Sequence, residues 1–294
     1  MPITQGFLKQ HPVRTYFVLT LAISWGGLLM VGGAGIFAGS SWQTDPTFLP
    51  AIQTMLLGPP LAGILSTILF SGTDGLRELF ARLTRCRVHG RWYAVALLGA
   101  PLIQGGVLAA LSLSDPVYLP PILTSSDKLG LLLPAITYGI VGGLLEEVGW
   151  TGFAIPRLRT RYSVRTTGLI VGVVWGVWHM LQMWWVGSTS FGGVPAEVFL
   201  PVYFVTAIAA LTAYRVLMVW VYDRTASLFV AVLMHGSYIM CTLFVLAPPT
   251  TGMLFLIYSG VFVVVLWLAV AVVAHVAGLG GAPGARVIDA ADQG

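Results

Sequence analysis

Two adjacent glutamates and two histidines stand in stretches of this chain that are otherwise apolar. Glu146 and Glu147 lie in the run Gly-Gly-Leu-Leu-Glu-Glu-Val-Gly-Trp ending at Trp150, His179 in Val-Trp-Gly-Val-Trp-His-Met ending at Met180, and His235 in Met-His-Gly-Ser-Tyr-Ile ending at Ile239. The other nine of eleven acidic residues fall in connections, at span ends or in the tail, as do His11, His89 and His275. An ionisable side chain in hydrocarbon costs roughly 2.5–3.5 kcal/mol or more, so such residues are rare and mark functional sites.

Two chemistries suit this set. In one, a carboxylate acts as general base on a water oriented by one histidine, while the second histidine donates to the developing oxyanion. In the other, Glu146, His179 and His235 bind a zinc that activates the water. The H-E-x-x-H spacing that puts two histidine ligands on one helix face is missing, so such ligands would come from three helices. Either no cofactor or zinc is therefore expected. Adjacent helical residues point about 100° apart, so Glu146 and Glu147 cannot share one location. One faces the reaction and the other needs its own partner or a proton.

The elements that position these residues follow from composition. The chain has 294 residues, 57% hydrophobic and 9% charged, with mean hydropathy +0.87; soluble domains carry about 25% charged residues. Eight apolar runs, near 15–38, 50–71, 92–113, 129–150, 166–187, 198–220, 226–247 and 253–275, approach or exceed the ~20 residues that span a bilayer. They lack the alternation of barrel strands, which predicts an all-α polytopic membrane protein. Fourteen Lys and Arg residues lie on one side of the eight-span arrangement and only Lys128 on the other. The positive-inside rule then places both termini in the cytoplasm. A net charge of +4 clustered between spans is a topology signal rather than a nucleic-acid surface. A single helical domain over 1–277 and a disordered cytoplasmic tail over 278–294 are expected. Cys86 and Cys241 fall in unlike surroundings and predict no disulfide. Pro59-Pro60 and Pro134 predict kinks. The rows Gly139/Gly143 and Gly168/Gly172/Gly176 predict close helix contacts, expected between the fourth and fifth spans. Counted from Arg157, Arg165 and Arg224 at 1.5 Å per residue, Glu146, His179 and His235 reach roughly 16, 21 and 16 Å from one edge. Three spans thus bring polar groups to similar depth.

The stretch Glu146-Glu-Val-Gly-Trp-Thr-Gly-Phe-Ala-Ile-Pro-Arg157 resembles the first motif, E-E-x-x-x-R, of the CAAX-type intramembrane endopeptidases, the CPBP (Abi) family. Trp175 four before His179 resembles the second motif, and Asp223-Arg-Thr-Ala-Ser followed by Met234-His-Gly-Ser-Tyr-Ile resembles the third. The resemblance is strongest over about 130–247. It implies proteolysis of a membrane-embedded peptide or protein in a multi-pass cell membrane, with a prokaryotic plasma membrane expected. Glu146 would be the base, His179 would orient the water and His235 would stabilise the oxyanion, with Glu147 in the same catalytic set.

Trp175, one turn from His179, and Tyr238 are expected to line the site. Thr151 stands where the family has Arg, so Arg215 in the sixth span is expected to replace it as partner of Glu147, unless Glu147 is protonated. Ile239 stands where the family has an oxyanion-assisting Asn. These departures keep two other readings open: a non-catalytic partner such as a bacteriocin self-immunity protein, and a proton-coupled transporter.

Overall fold

The structure, a computed structural model, describes residues 10–38 and 41–280. It is all-α among these residues. The helices are α1 (Pro12–Gly32), α2 (Phe48–Leu56), α3 (Gly58–Leu83), α4 (Gly90–Ser112), α5 (Lys128–Gly149), α6 (Ile155–Arg159), α7 (Val164–Trp178), α8 (Met180–Gly187), α9 (Ala196–Thr225), α10 (Leu228–Met240) and α11 (Gly252–Ala277). Among the described residues, seven helical segments are long and apolar enough to cross a membrane. The pair α7–α8, bent by 48°, makes an eighth. The expected tail, 278–294, lies outside the described residues except for Gly278 to Gly280; Gly278 closes α11 in the left-handed conformation. Among the described residues Cys86 is exposed and Cys241 buried, and both are free thiols.

Local chemistry explains the helix ends. Asp127, Ser163 and Ser227 cap α5, α7 and α10 by accepting backbone N–H bonds from Gly130, Thr166 and Val230, which satisfies donors that a helix start leaves orphaned. Pro59 and Pro60 do not kink a continuous helix. They occupy the first turn of α3, where proline lacks no hydrogen bond that the helix would use. Pro134 sits within α5. The second span is thus interrupted between α2 and α3, beside the two prolines, and again at Gly72, with φ 60° and ψ −152°, a region essentially reserved for glycine. It sets off the segment that runs on to Leu83.

The glycine rows act as the spacing predicted but on different partners. A Cβ on Gly143 would lie 2.7 Å from the Val232 carbonyl oxygen, and one on Gly139 2.8 Å from that of Gly236. These residues press α5 onto α10. A Cβ on Gly172 would lie 2.6 Å from Thr212 Cα, and one on Gly168 2.6 Å from Val216 Cα, so the second row presses α7 onto α9. The expected contact of the fourth span with the fifth is therefore corrected. Each row builds its own tight pair, with backbones approaching as only small residues allow.

Those two contacts determine what meets. α5 and α10 run antiparallel, with Gly139 on Gly236 and Gly143 on Val232, and this close approach lets the Glu147 carboxylate reach His235 Nδ1 at 2.7 Å. α7 and α9 also run antiparallel, with Gly168 on Val216 and Gly172 on Thr212; the Arg215 Cβ lies 3.2 Å from where a Gly172 Cβ would stand, and its guanidinium reaches over the Trp175 ring. The tight turn Ala226–Ser227 between α9 and α10 folds Arg215 and His235 back to nearly the same level. The site forms where the two helix pairs join.

Candidate functional site

Glu147 is fully buried and both its oxygens are held. One Arg215 nitrogen, Nη1, donates to Oε1 at 2.8 Å and to Oε2 at 2.9 Å. The Thr151 hydroxyl donates to Oε2, and His235 Nδ1 lies 2.7 Å from Oε1. Arg215 is also fully buried, and its guanidinium carbon lies 4.1 Å from the centre of the Trp175 ring, a cation–π contact. Arg215 thus occupies the partner role expected of it. It does so from inside α9 rather than from a connection, so it leaves the charge tally that set the topology. Thr151, four residues beyond Glu147, reaches the same carboxylate as a neutral donor.

Glu146 points elsewhere. Its Oε2 accepts the Trp175 indole N–H at 2.7 Å, and its Oε1 lies 3.9 Å from His235 Nε2. A carboxylate that also accepts from Arg215 can only accept at His235 Nδ1, so that nitrogen carries a proton. Nε2 is then left toward Glu146. The distance between Nε2 and Oε1 is long for a direct hydrogen bond. It suits one water bonded to both, with about 90° between two ~2.8 Å bonds.

His179 stands at the break between α7 and α8. Its Nδ1 lies 2.9 Å from the Trp175 carbonyl oxygen, which fixes Nδ1 as donor and leaves Nε2 a lone pair. Its ring packs edge-on against Trp178 at 4.6 Å and Trp175 at 5.5 Å between centroids. Trp175 therefore touches four members of the set, Glu146 through its indole, His179 through its carbonyl, Arg215 through its face and His235 at 5.0 Å ring to ring, while Glu147 joins them through Arg215 and His235. Tyr238 lies 6.4 Å from Trp175 and stacks on Tyr214 at 4.2 Å. Ile239 faces the glycine gap at Gly142, so an apolar contact fills that position.

Glu146, His179, His235, Arg215 and Tyr238 thus lie around Trp175, with Glu147 bonded to Arg215 and His235. Sequence reasoning passed over Tyr214, whose hydroxyl donates to the Met234 carbonyl at 2.8 Å, and Trp178; neither carries a motif signal. Among the described residues, no group of three His, Cys, Asp or Glu side chains has the arrangement to hold a metal ion. Glu146, His179 and His235 do not have that arrangement.

Residues 128–241 match the family described as Rce1-like, type II CAAX prenyl endopeptidase. The CAAX prenyl protease 2 of Methanococcus maripaludis is 32% identical over 47 residues, 16% of this chain and 17% of that protein, so the match covers under a fifth of either. The matched segment of the family runs from α5 through α10 and carries every ionisable residue of the site. It is over these residues that the chain is similar to the type II CAAX prenyl endopeptidases of the Rce1-like family.

Proposed function

We propose that this multi-pass membrane protein is an intramembrane endopeptidase that cleaves a membrane-associated peptide or protein. The observation that carries the reading is the 3.9 Å gap between Glu146 Oε1 and His235 Nε2, with the far side of each group held in place. Trp175 occupies Glu146 Oε2, which leaves Oε1 as the reactive oxygen. Glu147, anchored by Arg215 and Thr151, holds His235 through Nδ1.

With Glu146 and Glu147 ionised and Arg215 charged, the set carries one uncompensated negative charge. A proton shared between His235 Nε2 and Glu146 cancels it, and uncompensated buried charge is costly. In the reaction, Glu146 Oε1 takes a proton from water as the water oxygen attacks the peptide carbonyl. The His235 Nε2–H donates to the oxyanion that forms, and the Nε2 lone pair of His179 accepts from the same water and orients it. Collapse of the tetrahedral intermediate passes the proton from Glu146 to the leaving amine. Glu147 and Arg215 are positioning residues here.

The test is cleavage of a membrane-peptide library, including a prenylated C-terminal peptide, by purified protein in detergent. Wild type is compared with Glu146→Gln, with and without chelator. The expected result is wild-type cleavage that disappears in the variant. Equal cleavage by both proteins would overturn the role of Glu146, and no cleavage by either would overturn the enzyme reading. Loss on chelation, restored by zinc, would overturn the metal-free scheme.

A further inference from the structure

Every residue used so far lies within the segment matched to the Rce1-like family, yet the break that exposes His179 is not held by that segment alone. Where α7 stops and α8 starts at 48° to it, the regular i to i+4 ladder lapses and carbonyls lose their amide partners. His179 N–H is shared between the carbonyls of Trp175 at 3.3 Å and Gly176 at 3.2 Å. The Trp178 carbonyl is met from another span: the Trp25 indole N–H of α1 donates to it at 2.9 Å. That carbonyl belongs to the residue directly before His179.

Two further contacts run alongside. Tyr16 of α1 packs edge-on against Trp150, 5.6 Å between centroids, in the π turn Trp150–Ala154 just beyond the glutamates. A Cβ on Gly32 would lie 2.9 Å from Trp185 of α8. The first span therefore touches the π turn after the glutamates and α8 beyond the bend, and Trp25 makes its hydrogen bond at the bend itself.

From these contacts we infer that Trp25 is a positioning residue for His179: its indole N–H holds the Trp178 carbonyl, sets the bend between α7 and α8, and so aims His179 Nε2. This inference rests on the proposed reaction for its catalytic consequence but not for its structural one. An indole N–H at a helix break does what a backbone N–H does within the helix. It also restricts the backbone rotation that would swing the next side chain. Glu146, held by the Trp175 indole, and His235, held by Glu147, are fixed independently of Trp25. Its loss should therefore act on His179 alone.

The experiment compares Trp25→Phe, which keeps an aromatic ring and removes the N–H, with Ser24→Ala, which removes the neighbouring bond from Ser24 Oγ to the Met55 carbonyl, 2.7 Å. Two quantities are read: cleavage kinetics, and the imidazole ¹⁵N shifts of His179, assigned by comparison with His179→Gln. Trp25→Phe should lower kcat about three- to tenfold, as the loss of one hydrogen bond implies. KM should hold, and the His179 Nδ1 signal should shift or broaden. Ser24→Ala should leave both readings at wild-type values.

Wild-type His179 shifts in Trp25→Phe would overturn the inference, whatever the kinetics. An equal change in Ser24→Ala would also overturn it, since any loosening of α1 would then suffice. If the wild type cleaves nothing, the shifts still decide the matter, so failure of the enzyme reading and failure of this one remain separate.

Discussion

Replacing Arg215 with methionine removes a charge that has no solvent to substitute for it. Both members of the Arg215–Glu147 pair are fully buried. Truncating one partner of such a pair costs about 3–5 kcal/mol, because the other charge stays buried and uncompensated. The Thr151 hydroxyl and His235 still donate to Glu147, which places the expected loss near the lower bound, about 3 kcal/mol. Removing the second charge as well, in Arg215→Met with Glu147→Gln, should be less damaging than Arg215→Met alone, since no naked carboxylate remains. A third variant tests the relocation directly: Thr151→Arg with Arg215→Ala returns a guanidinium to the helical position four residues beyond Glu147, where such pairs form. It should regain at least half of the lost stability. Unfolding in mixed micelles followed by tryptophan fluorescence gives the stabilities, and the cleavage assay gives activity in parallel. The reasoning is refuted if Arg215→Met stays within about 0.5 kcal/mol of wild type, the range of an inconsequential substitution, or if the double charge removal is worse than the single.

Trp175→Phe deletes the donor to Glu146 Oε2; a hydrogen bond to a charged group contributes about 1.5–3 kcal/mol, so kcat should fall about 10- to 150-fold, and a loss under threefold would remove Trp175 from the mechanism. Gly143→Ala should destabilise by about 1–3 kcal/mol through overpacking against the Val232 carbonyl, whereas Gly99→Ala, whose Cβ would meet nothing within 4 Å, should be neutral or stabilising; equal unfolding midpoints would refute the close-approach argument. Gly72→Ala meets no neighbouring atom but must adopt a backbone conformation that costs about 1–3 kcal/mol outside glycine. Proteolysis between residues 72 and 83 should become faster while Glu146-dependent cleavage is unchanged, and a loss of cleavage would show that the segment is coupled to the site.

The spans and the polar set were legible because lipid makes both conspicuous. An apolar run of span length and a carboxylate inside one need no partner to be recognised, and Glu146, His179 and His235 each contact Trp175. The glycine rows announced close contact but not with whom, since a smooth face fits any smooth face. Which helix meets it depends on where Val232 and Thr212 present backbone. Arg215 was legible only through an absence, the Thr151 that left Glu147 without its usual partner. Trp25 had no signature at all: an indole 153 residues away in sequence meets a carbonyl freed only once the fifth span bends, and the bend is unmarked by proline. The π turn after Glu147 was hinted at by Gly149 and Gly152, positions where a helix loosens at little cost.

The Arg215–Glu147 pair also constrains how the protein comes into being. Its two halves are 68 residues apart and enter the bilayer on different segments, the carboxylate first. Until α9 follows, Glu147 has the Thr151 hydroxyl of its own segment and no cation, at roughly 2.5–3.5 kcal/mol on the insertion scale; until α10 follows, His235 is absent from it too. A nascent chain stopped after the fourth span therefore carries a carboxylate without its cation, and the completed chain pairs and buries it. The pair that positions His235 is thus complete only when the spans that enclose the site are all in place.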